Sequence, residues 1–84
     1  MDRNKIYKMI DEERDRQDKK FGDRSDLPRF VWSTILTEEN GEVAKACLDI
    51  VSEKSTLDEL QTELIQVAAV AVAWLESFEE KTGN

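Results

Sequence analysis

The stretch that decides the fold covers residues 64–75 and reads LIQVAAVAVAWL. Its one polar residue is Gln66, so a helix formed here is apolar all round and must be covered on more than one side. Two companion helices of one small chain can cover only part of it. A symmetric dimer, packing this helix on its copy or on the copy's second helix, would cover the remainder. The sequence therefore predicts an all-α antiparallel helical bundle completed by dimerisation, with a monomeric three-helix bundle as the alternative.

Two more helices are predicted before this one. Apolar residues recur at helical spacing over residues 2–20, and again over residues 28–52, where Pro28 suits the first turn. Thr56 opens a capping-box pattern, which predicts a third helix from residue 57 to about residue 81. No strand pattern, repeat or low-complexity tract competes with three helices.

Composition limits the partners and the cellular location expected of the protein. The 84 residues predict a single domain covering positions 1–84, and 19 acidic against 12 basic residues give a net charge of −7. That charge argues against nucleic acid or an anionic membrane as a partner. The single cysteine, Cys47, lies at an apolar helical position, which predicts a buried, inert thiol and a reducing compartment. With no signal-peptide pattern and no stretch long enough to span a bilayer, the expected location is the cytoplasm.

Glu39 stands out because it falls in the middle of the apolar stripe of the second helix. Burying an ionised carboxylate costs several kcal/mol unless a positive charge meets it. The third helix offers another carboxylate, Glu63, at the matching place. The sequence therefore predicts a bound metal ion, and oxygen donors without any histidine indicate a hard cation, Mg²⁺ or Mn²⁺.

The acidic neighbours of this pair have more than one interpretation. Glu38 and Glu42 place like charges at helical spacing, a destabilising arrangement, and a solvated acidic face is the alternative that suits Glu38. On the third helix Glu59 and Gln66 fall in the same arc as Glu63. Glu59 is a candidate substrate-binding residue, but its place in the capping box explains it equally well.

The spacing of these groups resembles a known family. Residues 38–42 read Glu-Glu-Asn-Gly-Glu, residues 63–66 read Glu-Leu-Ile-Gln, and residues 13–17 carry Glu-Arg-x-x-Gln. Together they resemble the MazG-like all-α nucleoside triphosphate pyrophosphatases, and in particular the short, phage-encoded members, over residues 10–76. The chain departs from the family pattern at Gln66, where Asp is usual, which keeps an oxygen donor and removes a negative charge.

The resemblance implies an enzyme, a hydrolase that cleaves a (deoxy)nucleoside triphosphate between the α and β phosphates and releases the monophosphate and pyrophosphate. The substrate and a second copy of the chain, in a dimer or tetramer, are the expected partners. Glu38 would orient or deprotonate the attacking water. The expected Mg²⁺ ligands are Glu39, Glu42, Glu63 and Gln66. The alternative is a non-catalytic nucleotide-binding or structural module of the same fold, with Gln66 marking the loss of activity.

Further substrate contacts are expected from the first two helices. Arg14 and Lys20 would meet phosphates, with ordinary surface charges as the alternative. Gln17 continues an apolar stripe, which predicts a directed polar contact. Trp32 could stack on the base, although packing is the simpler explanation, and Trp74 is expected in the core or a dimer interface.

Overall fold

The computed structural model describes the backbone of residues 1–82 and the side chains of residues 1–78. It contains three α-helices: α1 (Arg3–Phe21), α2 (Arg29–Val51) and α3 (Leu57–Thr82). Since this part of the chain has no strand, the all-α prediction is confirmed. None of the three described helices is long and apolar enough to cross a membrane.

Local signals set both ends of α1 and the start of α2. The Asp2 side chain caps α1 by accepting a hydrogen bond from the Lys5 N–H at 2.9 Å. Gly22 ends the helix with φ of 69°, a left-handed value that favours glycine, and donates its N–H to the Asp18 carbonyl. Pro28 is the N-cap of α2, one residue before the first turn where it was predicted.

The predicted capping box at the start of α3 is half formed. Thr56 Oγ1 accepts a hydrogen bond from the Glu59 N–H at 3.2 Å, as expected of an N-cap. The Glu59 carboxylate does not return to the Thr56 N–H but accepts a hydrogen bond from the Ser55 hydroxyl. Glu59 is thus committed to the helix start.

Helix α3 is the element on which the other two pack. Within the described residues it contacts α1 and α2, whereas no Cα of α1 lies within 8 Å of a Cα of α2. Trp32, early in α2, stacks on Trp74, late in α3, with ring centroids 6.5 Å apart, so these two helices run antiparallel. The core is built around Trp32, Val70 and Ala73, with Trp74 packed against it. The gap between α1 and α2, floored by α3, leaves space for a site.

Large apolar side chains stay exposed on both α2 and α3. Leu75 is 63% exposed, Leu48 71% and Val51 84%. Cys47 is also exposed, so the prediction of a buried thiol was wrong. The reason is that α3 covers only one side of α2, which leaves the far side of the C-terminal half of α2 without a neighbour.

Candidate functional site

A small cavity of about 190 Å³ lies in the gap between α1 and α2. It brings together four of the residues that the sequence singled out, from all three helices: Gln17, Lys20, Glu39 and Gln66. Its other polar lining residues are Glu13, Arg16 and Arg24. We call it the inter-helix cavity. Carboxylates and cations therefore share one small space.

Glu39 is the carboxyl most disturbed by this arrangement. Burial is the main reason why the pKa of Glu39 is raised, and the negative charge of Glu63 is the second. The charges of Glu42 and Glu13 raise it further, and Arg16 acts in the opposite direction. Arg16 is itself paired with Glu13, at 2.6 Å between Nη2 and Oε2. The cation that lowers the pKa of Glu39 thus also neutralises another carboxylate, which leaves Glu39 poorly compensated.

The Glu63 carboxylate also lacks a contact that a buried charge needs. Its Oε2 atom is buried and has no hydrogen-bond partner. A buried carboxylate oxygen without a donor is costly, and such atoms usually meet a cation, a proton or a water molecule. Glu63 also acts electrostatically on Glu39, so the two carboxylates predicted to share a metal ion lie within electrostatic range of each other.

The oxygen donors of this site suit a metal ion that binds through only a few protein ligands. Among the described residues, no three His, Cys, Asp or Glu side chains converge closely enough to hold a metal by themselves, so Glu39, Glu42 and Glu63 do not form a ready-made cluster. Mg²⁺ commonly binds through one or two carboxylates and completes its shell with water and substrate phosphates. Glu39 and Glu63 suit that mode, with the amide of Gln66 lining the same cavity as Glu39.

The remaining predicted acidic residues lie further out. Glu38 and Glu42 are exposed and do not line the inter-helix cavity. Glu42 lies near enough to affect Glu39 electrostatically. Glu59 is exposed and bonded to Ser55, and it too lies outside the cavity lining.

Arg14 is not an ordinary surface charge, and several of its donors are engaged within the protein. It is only 9% exposed, and its Nε donates to Glu76 Oε1 at 2.8 Å while its Nη2 donates to Asp18 at 2.9 Å. The hydrogen bond to Glu76 is the main reason why the pKa of Arg14 is raised. Its Nη1 donates to Gln17 Oε1 at 3.2 Å, so Gln17 makes this polar contact within α1, and a contact of Gln17 with substrate stays a prediction. Arg14 thus joins α1 to α3 through Glu76, while Gln17 bonds to Arg14 and Glu13 within α1.

Trp32 is a core residue and not an open stacking platform. It is 2% exposed, Trp74 stacks on it, and the Arg24 guanidinium carbon lies 5.3 Å from its ring. A base therefore has no free face of Trp32 to stack on, and packing, the simpler explanation, describes this residue. Its Nε1 is buried without a hydrogen-bond partner.

A larger cavity of about 360 Å³ lies beside the connection between α1 and α2. Residues 22–25 of that connection line it together with Arg14, Trp32 and Glu76. Arg24 lines both this cavity and the inter-helix cavity. We call it the loop cavity.

Sequence reasoning did not single out Arg16, Arg24 or Glu76. The signal for Arg16 was available, since it lies three residues after Glu13 on a helix. Arg24 lies after Gly22, in the connection between α1 and α2. This connection is rich in helix-breaking residues, so helical periodicity does not predict the path of its backbone. Glu76 meets Arg14 across 62 positions of sequence, a distance at which no local pattern indicates contact.

Comparisons of the chain with protein-family models, with curated proteins and with solved structures found no match.

Proposed function

We propose that this protein is a Mg²⁺-dependent nucleoside triphosphate pyrophosphohydrolase of MazG-like fold, with Mn²⁺ as an alternative ion. It converts a (deoxy)nucleoside triphosphate to the monophosphate and pyrophosphate. The observation that carries this proposal is the electrostatic interaction of Glu39 with Glu63, both partly buried and short of positive charge. Glu39 also lines a cavity together with Lys20 and Arg24. An Mg²⁺-bound polyphosphate supplies the missing positive charge and the anion together.

Each group has a role that follows from its place. Glu39 and Glu63 would hold the ion, with Glu42 and Gln66 as further oxygen donors. When bound, Mg²⁺ neutralises phosphate charge and lowers the pKa of an attacking water. Glu38 is exposed and directly precedes Glu39 in α2, and it would orient the water and accept its proton. Lys20 lines the same cavity and would bind phosphate oxygens.

The nucleoside part would occupy the loop cavity, whose volume of about 360 Å³ falls within the range of small-molecule pockets. Since the faces of Trp32 are covered, this residue would form part of the wall of the nucleoside site and not a stacking platform.

The assembly and location belong to the same proposal. The exposed apolar side chains of α2 and α3 would be covered by a second copy of the chain, giving a homodimer or a tetramer. The net charge of −7 makes nucleic acid and anionic membranes poor partners. We place the activity in the cytoplasm, as in the phage-encoded proteins that the sequence resembles.

Pyrophosphate release from a panel of ribo- and deoxyribonucleoside triphosphates, with and without Mg²⁺, tests the proposal. We expect Mg²⁺-dependent release by the wild type and its loss in Glu63→Gln. Asp11→Asn, an exposed carboxylate of α1 outside both cavities, is the matched control and should keep full activity. Equal release by Glu63→Gln and the wild type would exclude the site.

A non-catalytic nucleotide-binding module of the same fold is the second candidate. Two observations favour it: the described carboxylates do not converge in a group of three, and Gln66 brings no negative charge. In that case nucleotides bind in the presence of Mg²⁺ but release no pyrophosphate over the whole panel.

A further inference from the structure

Two cations stand against one aromatic ring at the end of α1. Lys20 Nζ lies 5.2 Å from the centroid of the Phe21 ring, and the Arg24 guanidinium carbon lies 4.5 Å from it. Arg24 also lies over Trp32. Neither Lys20 nor Arg24 forms an ion pair with any described residue. Aromatic contacts thus position both cations and leave their N–H donors available.

Arg24 differs in this respect from its neighbour Arg14. The charge of Arg14 is met by Glu76 and Asp18, whereas Arg24 is partly buried without a paired carboxylate. Burial is the main cause that lowers the pKa of Arg24, and the like charge of Arg14 adds to it, with Asp18 opposing. A desolvated cation without a partner is costly until an anion binds. Its planar donor edge suits the paired oxygens of a phosphate group.

The positions and charges of the surrounding residues indicate which class of anion would bind here. Arg24 lines both cavities and Lys20 lines the inter-helix cavity, so the two cations share one approach. Glu13 and Glu39 line the same space and would repel a simple anion. A polyphosphate that carries Mg²⁺ is attracted by both sets of groups, because its phosphates meet the cations and its metal ion meets the carboxylates.

We propose that Lys20, Phe21 and Arg24 form a clamp that binds the pyrophosphate end of a Mg²⁺–polyphosphate at the junction of the two cavities. That this end belongs to a nucleoside triphosphate follows from the proposed function. The binding of a pyrophosphate group does not require turnover, so it can be tested separately.

The test is calorimetric titration of the full-length chain with inorganic pyrophosphate in the presence of Mg²⁺. We expect Arg24→Gln and Lys20→Gln each to weaken binding about tenfold or more, since each removes a charge-assisted contact. Arg24→Lys should recover part of the loss. Phe21→Leu keeps both charges and removes the aromatic ring that positions them. The affinity for pyrophosphate should therefore fall less than in Arg24→Gln or Lys20→Gln. Arg29→Gln, an exposed arginine at the start of α2, is the matched control and should bind like the wild type.

The outcomes separate the clamp from the enzyme. Unchanged pyrophosphate affinity in both Arg24→Gln and Lys20→Gln, or no binding by the wild type, overturns the clamp. A parallel titration with orthophosphate that gives the same affinity overturns its specificity for linked phosphates. Arg24-dependent binding by a protein that hydrolyses no triphosphate supports the clamp and removes the proposed function. Thermal melts of each variant exclude unfolding as the cause of a loss.

Discussion

At Glu39, burial and like charge act in the same direction, so the residue opposes folding when it is ionised. Its pKa is raised in the folded protein, chiefly by burial, and at neutral pH the folded state carries the cost of the charge. Replacing it by Gln removes the charge and keeps the shape. We therefore expect Glu39→Gln to raise the metal-free melting temperature, by the equivalent of less than about 1 kcal/mol because solvent screens a partly exposed group.

The sign of the pH dependence follows from linkage. A carboxyl with a raised folded pKa favours the folded state while it is protonated, and this contribution disappears as pH rises through the folded pKa. The advantage of Glu39→Gln should therefore be largest near about pH 7 and vanish near about pH 4. Melting curves without metal at both pH values, with the exposed Glu38→Gln as control, measure it. A variant less stable than the wild type at neutral pH would mean that Arg16 neutralises Glu39 after all.

Gln66 lines the same cavity as Glu39, and its neutral amide is the main departure from the acidic pattern. We expect Gln66→Asp to tighten Mg²⁺ binding a few-fold to tenfold, or by about 1 kcal/mol, because hard divalent ions favour anionic oxygen. The Mg²⁺ dependence of pyrophosphate release should shift to lower concentrations. Lower activity at saturating Mg²⁺ would instead indicate that the amide NH₂ donates to a phosphate or a carboxylate, a donor that Asp lacks.

Among the elements, the helices were predictable because their signals are local. Thr56 and Gly22 act within one turn of the helix ends that they set, and the sequence places those ends within one or two residues. The approach of Glu39 to Glu63 follows from the facing stripes of two antiparallel helices. The contact of α1 with α3 includes the ion pair of Arg14 with Glu76, which helical periodicity alone does not predict.

The two residues of the ion pair between α1 and α3 differ in the exposure of their side chains. The Arg14 side chain is 11% exposed and that of Glu76 is 54% exposed. Arg14→Gln would leave Gln17 without a buried donor, so we expect a loss of about 1–3 kcal/mol. Glu76→Gln should cost less than about 1 kcal/mol, because water replaces much of a half-exposed carboxylate's contact. Urea unfolding of both variants measures the difference. A negligible loss for Arg14→Gln would make this residue available for phosphate, as the sequence first indicated.

On the scale of the whole molecule, one chain does not cover all the apolar side chains of its own helices. The molecule is elongated, with extents of 49 × 29 × 20 Å. Among the described residues the buried apolar side chains are few: Trp32, Ala46, Ala69, Val70 and Ala73. Small domains bury a low fraction of their surface. The sequence of residues 64–75 predicted this shortage, but it could not tell which side of the helix α1 and α2 would leave open.

The open side includes Leu64, Leu75 and Phe78 of α3, which repeat at helical spacing and suit a second helix. Fully burying an exposed side chain of this kind contributes about 1.5–3 kcal/mol, and these three are about half exposed. Covering them together therefore favours association, and we expect a dimer, or a dimer of dimers, at micromolar concentration. Leu75→Glu places a charge in this stripe and should give a monomer of lower stability. Tyr7→Glu, at an equally exposed position on α1, should keep the wild-type assembly. Sedimentation velocity measures all three proteins, and a stable, well-folded wild-type monomer would show that α3 tolerates its exposed apolar side without a partner.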